Sequence, residues 1–326
     1  MKNILIVGGA GYIGSHAVVN LQESGYNCIV LDNLSEGYRD AVKCDHFVQG
    51  DINDTNVLNY VFQSYDISTV MHFSAYINVG ESVVDPQKYY KNNVQSTLNL
   101  LSAMVDNKVK NFIFSSTCAI FGNPQYLPLD EDHPQAPINP YGMSKFMVEK
   151  ILEDYSKAYN LKYVALRYFN AAGAHPTVRI GENHRIETHL IPLVLKTLTG
   201  ERKDIKIFGT DYDTPDGTCV RDYIHVCDLA EAHKNAIELL DAGNESYQIN
   251  LGTGVGHSVK EIIAACEEVT GMRVPVVNAP RRAGDPASLV ATSGGLAKRL
   301  LNFNPKFIDI RETIRTAWDW ERNKEY

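Results

Sequence analysis

The segment Gly8-Gly9-Ala10-Gly11-Tyr12-Ile13-Gly14 constrains what this chain can fold into more than any other. It follows a short apolar run, residues 3–7, that reads as a buried strand, and it opens a stretch with helical periodicity. Glycines at 8, 11 and 14 permit a tight strand-to-helix turn and let a pyrophosphate approach the backbone. The N-terminus of the following helix supplies oriented N–H groups and the positive end of its dipole. A glycine triplet alone is equally an ordinary tight turn, so its surroundings decide.

Those surroundings are regular. Residues 3–7, 27–31, 46–49, 69–72, 111–115 and 163–167 read as strands, separated by longer amphipathic stretches. The alternation predicts βαβ units and an α/β, Rossmann-type doubly wound parallel sheet. Helical patterns cover 85–106 and 141–159, and Pro140 stands where a first helical turn tolerates it. Beyond Arg167 the regularity fades, although 247–251 reads as one more strand returning to the sheet. The expected organisation is a dinucleotide-binding domain over 1–170 with a returning segment near 220–252. A smaller, partly interleaved α/β substrate domain is expected over 171–326.

Asp32 ends the second strand, where a carboxylate accepts hydrogen bonds from the adenosine ribose hydroxyls and repels a 2'-phosphate. NAD is therefore expected rather than NADP. Read locally, Asp32-Asn33 is also a turn-forming pair. The formal charge of −8 argues against nonspecific nucleic-acid binding, so any phosphate-bearing ligand has to be held by individual cations. No stretch approaches the ~20 apolar residues of a membrane span, and the first apolar run breaks at glycines instead of continuing as a signal-peptide core. Six cysteines without a C-x-x-C pair fit reduced thiols and a cytoplasmic location. The histidines show no zinc spacing, and no metal is expected.

Tyr141 and Lys145 stand at i and i+4, on one face of the expected helix. A Tyr-x-x-x-Lys occurs by chance about once in a chain of this composition. Ser115-Ser116-Thr117 adds weight, because it lies at the end of the fifth strand, where a parallel sheet presents catalytic groups. A tyrosine has an ordinary pKa of about 10, and bringing it to about 7 takes about 4 kcal/mol of preferential phenolate stabilisation. One ammonium at ~4 Å and an effective dielectric of ~20 contributes about that much.

With these residues in place, the chain resembles the extended short-chain dehydrogenase/reductases, and among them the enzymes that epimerise UDP-glucose and UDP-galactose at C4. The resemblance runs from residue 2 to about 320. It rests on Gly8 to Gly14, Asp32-Asn33, His72-Phe73, Gly80-Glu81-Ser82, Asn92-Asn93, Tyr141 to Lys145, Arg167-Tyr168-Phe169-Asn170, and the blocks 217–225 and 281–285. It implies that Tyr141 is the base on the sugar 4-hydroxyl, that Lys145 holds the nicotinamide ribose and lowers the tyrosine pKa, and that Thr117 assists or relays the proton. Hydride passes from C4 to NAD and returns to the other face of a 4-keto intermediate, so NAD stays bound between steps.

The same resemblance places Tyr12, Ile13, Asn33, Asp51, Ile52, Phe73, Asn92 and Phe169 around NAD. Asn170, Leu190, Phe208, Arg221, Arg282 and Asp285 fall around the UDP-sugar, the two guanidinium groups suiting diphosphate oxygens. Leu289 corresponds to a position facing the sugar at C2, where tyrosine excludes N-acetyl groups and a small residue admits them. Leucine there implies measurable activity on UDP-N-acetylglucosamine, although a lone leucine is also ordinary core packing. Relatives often carry lysine where Ile77 stands and asparagine where His189 stands. They commonly form homodimers through a four-helix bundle, and the helices near Asp85 and Pro140 are the candidates here.

A sugar-nucleotide 4,6-dehydratase is the nearest rival within the fold, but that family places Asp-Glu after the threonine. Cys118-Ala119 cannot protonate a leaving hydroxide. A UDP-uronic acid epimerase differs only in pocket groups for a carboxylate. A non-catalytic NAD sensor has no need of Thr117, Tyr141 and Lys145 together.

Overall fold

The computed structural model of the chain describes residues 1–177, 179–243, 245–282 and 284–326. Strand and helix alternate from the start: β1 (Asn3–Val7), α1 (Tyr12–Glu23), β2 (Asn27–Asp32), β3 (His46–Gln49), α2 (Thr55–Ser64) and β4 (Ile67–His72). Two short helices, α3 (Val79–Val84) and α4 (Pro86–Tyr89), lead through a π-helical stretch, Tyr90–Gln95, into α5 (Ser96–Asp106). β5 (Asn111–Thr117), α6 (Pro140–Tyr159) and β6 (Lys162–Tyr168) follow.

Thereafter come β7 (Asn170–Ala172), α7 (Leu190–Leu198), β8 (Ile205–Phe208), β9 (Val220–His225) and α8 (Val226–Asp241). β10 (Tyr247–Leu251), β11 (Gly256–Ser258), α9 (Val259–Thr270), β12 (Val276–Ala279), β13 (Ser288–Leu289), α10 (Leu296–Leu300) and α11 (Ile310–Arg322) complete the chain.

Seven strands form one parallel sheet in the order β10-β6-β5-β4-β1-β2-β3. The strand order reverses between β1 and β4, the place where doubly wound sheets bind ligands beyond their carboxyl ends. Both faces are covered, as the nearly unbroken apolar strands require. Ile4 and Ile6 of β1 pack with Val18 and Leu21 of α1 and Leu229 and Ala236 of α8. Leu5 and Val7 point the other way, toward Leu58 of α2, Leu100 and Met104 of α5, and Val148 and Leu152 of α6.

A smaller sheet is organised around β9, which pairs parallel with β7 and β13 and antiparallel with β11. A third pair, β8 and β12, lies beside it, and α7, α9 and α11 enclose a separate apolar cluster. Among the described residues no helix is long and apolar enough to cross a membrane.

The strands outrun their apolar runs. The fifth was expected to stop at Ser115, but Ser116 and Thr117 stay in register with Arg167 and Tyr168 of β6. Apolar patterning marks burial, whereas the backbone ladder continues for as long as it has a partner. The helix expected over 85–106 is interrupted by its π-helical stretch, within which the Asn93 carboxamide binds outside the helix. It accepts from the Tyr76 N–H at 3.0 Å and donates to the Tyr76 carbonyl and the Ser144 hydroxyl, each at 3.0 Å.

Candidate active site

The glycine turn is built for close approach. Gly8 has a φ of +83°, and a Cβ there would stand 2.6 Å from the Ser74 backbone nitrogen. A Cβ at Gly14 would stand 2.2 Å from the Gly8 carbonyl oxygen. At Gly11 a Cβ would meet only that same oxygen, at 3.4 Å, so the outer side of the turn is open. Gly11 is also the N-cap of α1 and brings no capping side chain, which leaves first-turn N–H groups to an anion. This cradle fits the pyrophosphate of a dinucleotide.

Asp32 braces the cradle from the next strand. Its carboxylate accepts from Ala10 N–H at 2.9 Å and Leu34 N–H at 2.8 Å. Burial raises its pKa, and these two bonds oppose the rise. Each oxygen keeps a further lone pair for a ribose hydroxyl. Exposed Asn33 donates to Asp51 at 2.8 Å, while Ile52 is buried in the core below.

The other residues expected around NAD have protein partners as well. Tyr12 donates its hydroxyl to the Gly173 carbonyl at 2.6 Å, and Ile13 packs against the core. The Phe73 ring lies 4.8 Å from that of His233, while its N–H donates to the Val7 carbonyl. Asn92 donates to Asn93 at 3.0 Å.

Thr117 is the last residue of β5, and Tyr141 lies in the first turn of α6. That turn is fixed by Pro140 and by the Asn139 side chain, which accepts from Gly142 N–H at 2.9 Å. One turn on, Lys145 is buried, donates from Nζ to the Ser115 carbonyl at 2.8 Å, and lies 4.8 Å from the Phe114 ring. Burial pushes the Tyr141 phenol up to about 12, against a hydrogen bond with Thr117. Burial likewise brings the Lys145 ammonium down to about 7, with Glu149 pulling the other way. The expected lowering of Tyr141 by Lys145 is therefore not the dominant effect within the protein's own field: desolvation is, and it favours the neutral form of each group.

On the far side of Thr117, β9 and β13 bring further polar groups together. Arg221 Nη2 and Arg282 Nε approach the two carboxylate oxygens of Asp285, each at 3.9 Å. The Arg282 guanidinium lies 4.4 Å over the Phe208 ring. Arg281 turns aside to Asp211 at 2.7 Å. Leu289 pairs in register with Arg221 and is buried with Cys118 and Phe169, next to Thr117. Asn170 opens β7 opposite Tyr223, and Leu190 heads α7 against the α7–α9–α11 cluster. Ala283, within the 281–285 block, lies outside the described residues.

Residues 4–252 match the NAD dependent epimerase/dehydratase family. The chain belongs to this family. It is 50% identical over 319 residues to the UDP-glucose 4-epimerase of Halalkalibacterium halodurans, covering 98% of this chain and 95% of that one. The crystal structure of UDP-glucose 4-epimerase from Brucella ovis in complex with NAD superposes with a TM-score of 0.95 at 48% identity, covering 98% of each chain. That of Bifidobacterium longum, in complex with NAD+ and UDP, gives 0.93 at 38% identity, again covering 98% of each.

Beyond the roles that the resemblance implied, the structure adds three groups. Glu149 forms a buried bidentate pair with Arg167, at 3.0 Å from Nε and 2.6 Å from Nη2, and accepts from the Ser116 hydroxyl. It continues the Tyr141, Lys145 spacing by four more residues, a signal that was available in the sequence. Asn93 ties the π-helical stretch to Ser144 of α6. Third, the histidines are less scattered than they look: His184 and His189 meet Glu182 and Glu187 in a loop, where no helical spacing announces them. Of the two departures from relatives, Ile77 is exposed and His189 turns its Nδ1 to Glu182.

Proposed function

We infer that the chain interconverts UDP-glucose and UDP-galactose by NAD-dependent epimerisation at C4, through a transient 4-keto sugar. The observation that carries the reading is the convergence of Thr117, Tyr141 and Lys145 at the carboxyl end of the sheet whose first turn forms the glycine cradle. NAD, when bound, supplies the hydrogen acceptor and donor for C4. Tyr141 takes the proton of the 4-hydroxyl and later returns it. A phenol held near 12 needs added positive charge to serve as a base at neutral pH; Lys145, whose ammonium burial brings down to about 7, would supply it together with the positive nicotinamide of bound NAD. Thr117, hydrogen-bonded to the phenol, orients it and passes the proton.

Arg221 and Arg282 take the diphosphate, with Asp285 holding them ready and Phe208 supporting Arg282. Asn170 and Leu190 complete the UDP side. Leu289 lies beside the sugar, and its moderate volume admits some UDP-N-acetylglucosamine. On this reading residues 1–170, with a returning segment near 220–252, hold the cofactor and 171–326 hold the UDP-sugar. The helical stretch from Asp85 and α6 are the helices that would pair in a homodimer, and exposed Met147 on α6 suits such a contact. Six free cysteines suit a cytoplasmic setting.

Conversion of UDP-galactose, followed by absorbance through a coupled UDP-glucose dehydrogenase, tests the assignment. Turnover without added reductant supports it, whereas NAD binding without turnover leaves only a cofactor-binding protein.

A further inference from the structure

Two imidazoles and two carboxylates meet in the loop that enters α7. Glu182, His184, Glu187 and His189 follow the spacing Glu-x-His-x-x-Glu-x-His. His189 Nδ1 lies 2.6 Å and His184 Nδ1 3.3 Å from the same Glu182 Oε1. Glu187 stands opposite, with Oε2 3.3 Å from His184 Nδ1 and Oε1 3.5 Å from His189 Nδ1. One ligand atom from each residue falls within 4.8 Å of all the others. We propose that these four residues form a binding site for a divalent cation of the zinc class, held by two imidazole nitrogens and two carboxylate oxygens.

The separations suit such an ion. Zinc bonded to nitrogen and oxygen at about 2.0–2.1 Å in a tetrahedron has ligand-to-ligand edges of about 3.3 Å. Taking Glu187 Oε2 as the donor, the His184 Nδ1 separations of 3.3 Å to each carboxylate match that edge, and the 2.6 Å from His189 Nδ1 to Glu182 Oε1 is shorter than it. The donor set is also consistent, since imidazole and carboxylate together are ordinary zinc ligands.

Charge makes the same case. The Glu182 and Glu187 side chains are only 6% and 4% exposed, so both carboxylates need positive partners. Two imidazolium ions neutralise them, and so does one divalent cation between neutral imidazoles. One divalent cation balances the two carboxylates and leaves the buried site neutral.

The ligands are braced from outside the cluster. The Trp320 indole N–H donates to the Glu182 carbonyl at 2.9 Å, and Glu187 Oε1 accepts from the N–H groups of Thr188 and His189, each at 2.8 Å. Such supporting bonds fix ligand orientation. The other ionisable groups packed here do not take the cation's place. Tyr12 lies edge-on to His184 at 6.2 Å with its hydroxyl committed to Gly173, and the Tyr326 hydroxyl faces Gly181. Arg185 points away, to the carbonyls of Ser35 and Leu34 at 2.8 and 3.1 Å. His184 and His189, 20% and 36% exposed, provide the path of entry.

The test is metal uptake by the NAD-loaded protein after chelator treatment and dialysis. Calorimetric titration with zinc chloride is expected to show one ion per chain. Cobalt(II) should give the visible bands of a tetrahedral nitrogen–oxygen site without thiolate charge transfer in the near ultraviolet. His189→Asn and Glu182→Gln should each weaken uptake by more than about 100-fold, since losing a direct ligand exceeds the loss of a supporting bond. Absence of saturable uptake, a thiolate band, or affinity unchanged in both variants would overturn the proposal. The wild-type stoichiometry and spectrum decide it even if a variant fails to fold.

Discussion

Lys145 donates from Nζ to the Ser115 carbonyl oxygen at 2.8 Å, and this bond pins α6 to the end of β5 two residues before Thr117. It brings the phenol of Tyr141, one helical turn earlier, to the hydroxyl of Thr117. The buried Glu149–Arg167 pair holds the next turn of α6 to β6. On the proposed assignment, the helix docks the catalytic groups as a unit, and side-chain changes within it can be read as chemistry.

Tyr141→Phe keeps the ring and removes the proton acceptor. Turnover should fall by about 10²- to 10⁴-fold, the usual contribution of a positioned base, while NAD released on denaturation stays at the wild-type amount. Comparable epimerase rates in the variant would remove Tyr141 from the mechanism.

Lys145→Met tests the cation's role through pH. Burial holds the Tyr141 phenol near 12, and only a neighbouring positive charge brings phenolate toward neutrality. Removing an ammonium raises a neighbouring phenol's pKa, so the rising limb of kcat/KM should move upward, by about 2–3 pH units if the charge acts at ~4 Å with an effective dielectric of ~20. The variant should recover toward wild type as pH increases. Parallel profiles would mean that Lys145 only positions the helix.

Local patterns carried the parts of this architecture that depend on near neighbours. The glycine turn, the strands of the large sheet and the Tyr141–Lys145 face each lie within a few residues of sequence. What escaped depends on distant partners. Thr117 is in the strand because Tyr168 pairs with it, and the π-helical stretch exists where Asn93 finds Tyr76 and Ser144. Glu149 continues the Tyr141–Lys145 spacing, but its role is visible only once Arg167 is placed beside it. The meeting of Arg221 with Arg282 and Asp285 came from resemblance alone, since β11, α9 and β12 lie between them in the chain.

Asp32→Ala should abolish discrimination against NADP, lowering the NAD-to-NADP affinity ratio by at least about tenfold, the effect of one removed repulsive contact. Affinity for NAD should weaken too, because Asp32 also braces Ala10 and Leu34. The ratio, measured by cofactor reconstitution, is therefore the informative quantity. An unchanged ratio would place the ribose elsewhere.

Arg282→Ala should raise KM for UDP-galactose by about tenfold with little change in kcat. A diphosphate anchor contributes alike to ground state and transition state, and a half-exposed guanidinium contributes at the low end for a charged hydrogen bond. The KM difference should shrink at high salt. An unchanged KM would put Arg282 off the site.

Leu289→Tyr addresses which sugars enter. The leucine is 7% exposed, packed with Cys118 and Phe169, and in register with Arg221, so it stands between Thr117 and the arginine group. If it bounds the space at C2, a larger side chain removes room that only an N-acetyl sugar needs. Turnover of UDP-N-acetylglucosamine should then fall by about 10- to 100-fold, and that of UDP-galactose by much less, as expected when one group's worth of pocket volume is lost. Paired rates on the two substrates measure the effect. Equal losses would mean that the tyrosine disturbs the packing of Cys118 and Phe169 and with it Thr117, an overpacking effect that does not depend on the substrate. No loss on either would mean that the side chain at 289 points into this small core and that another residue limits the sugar.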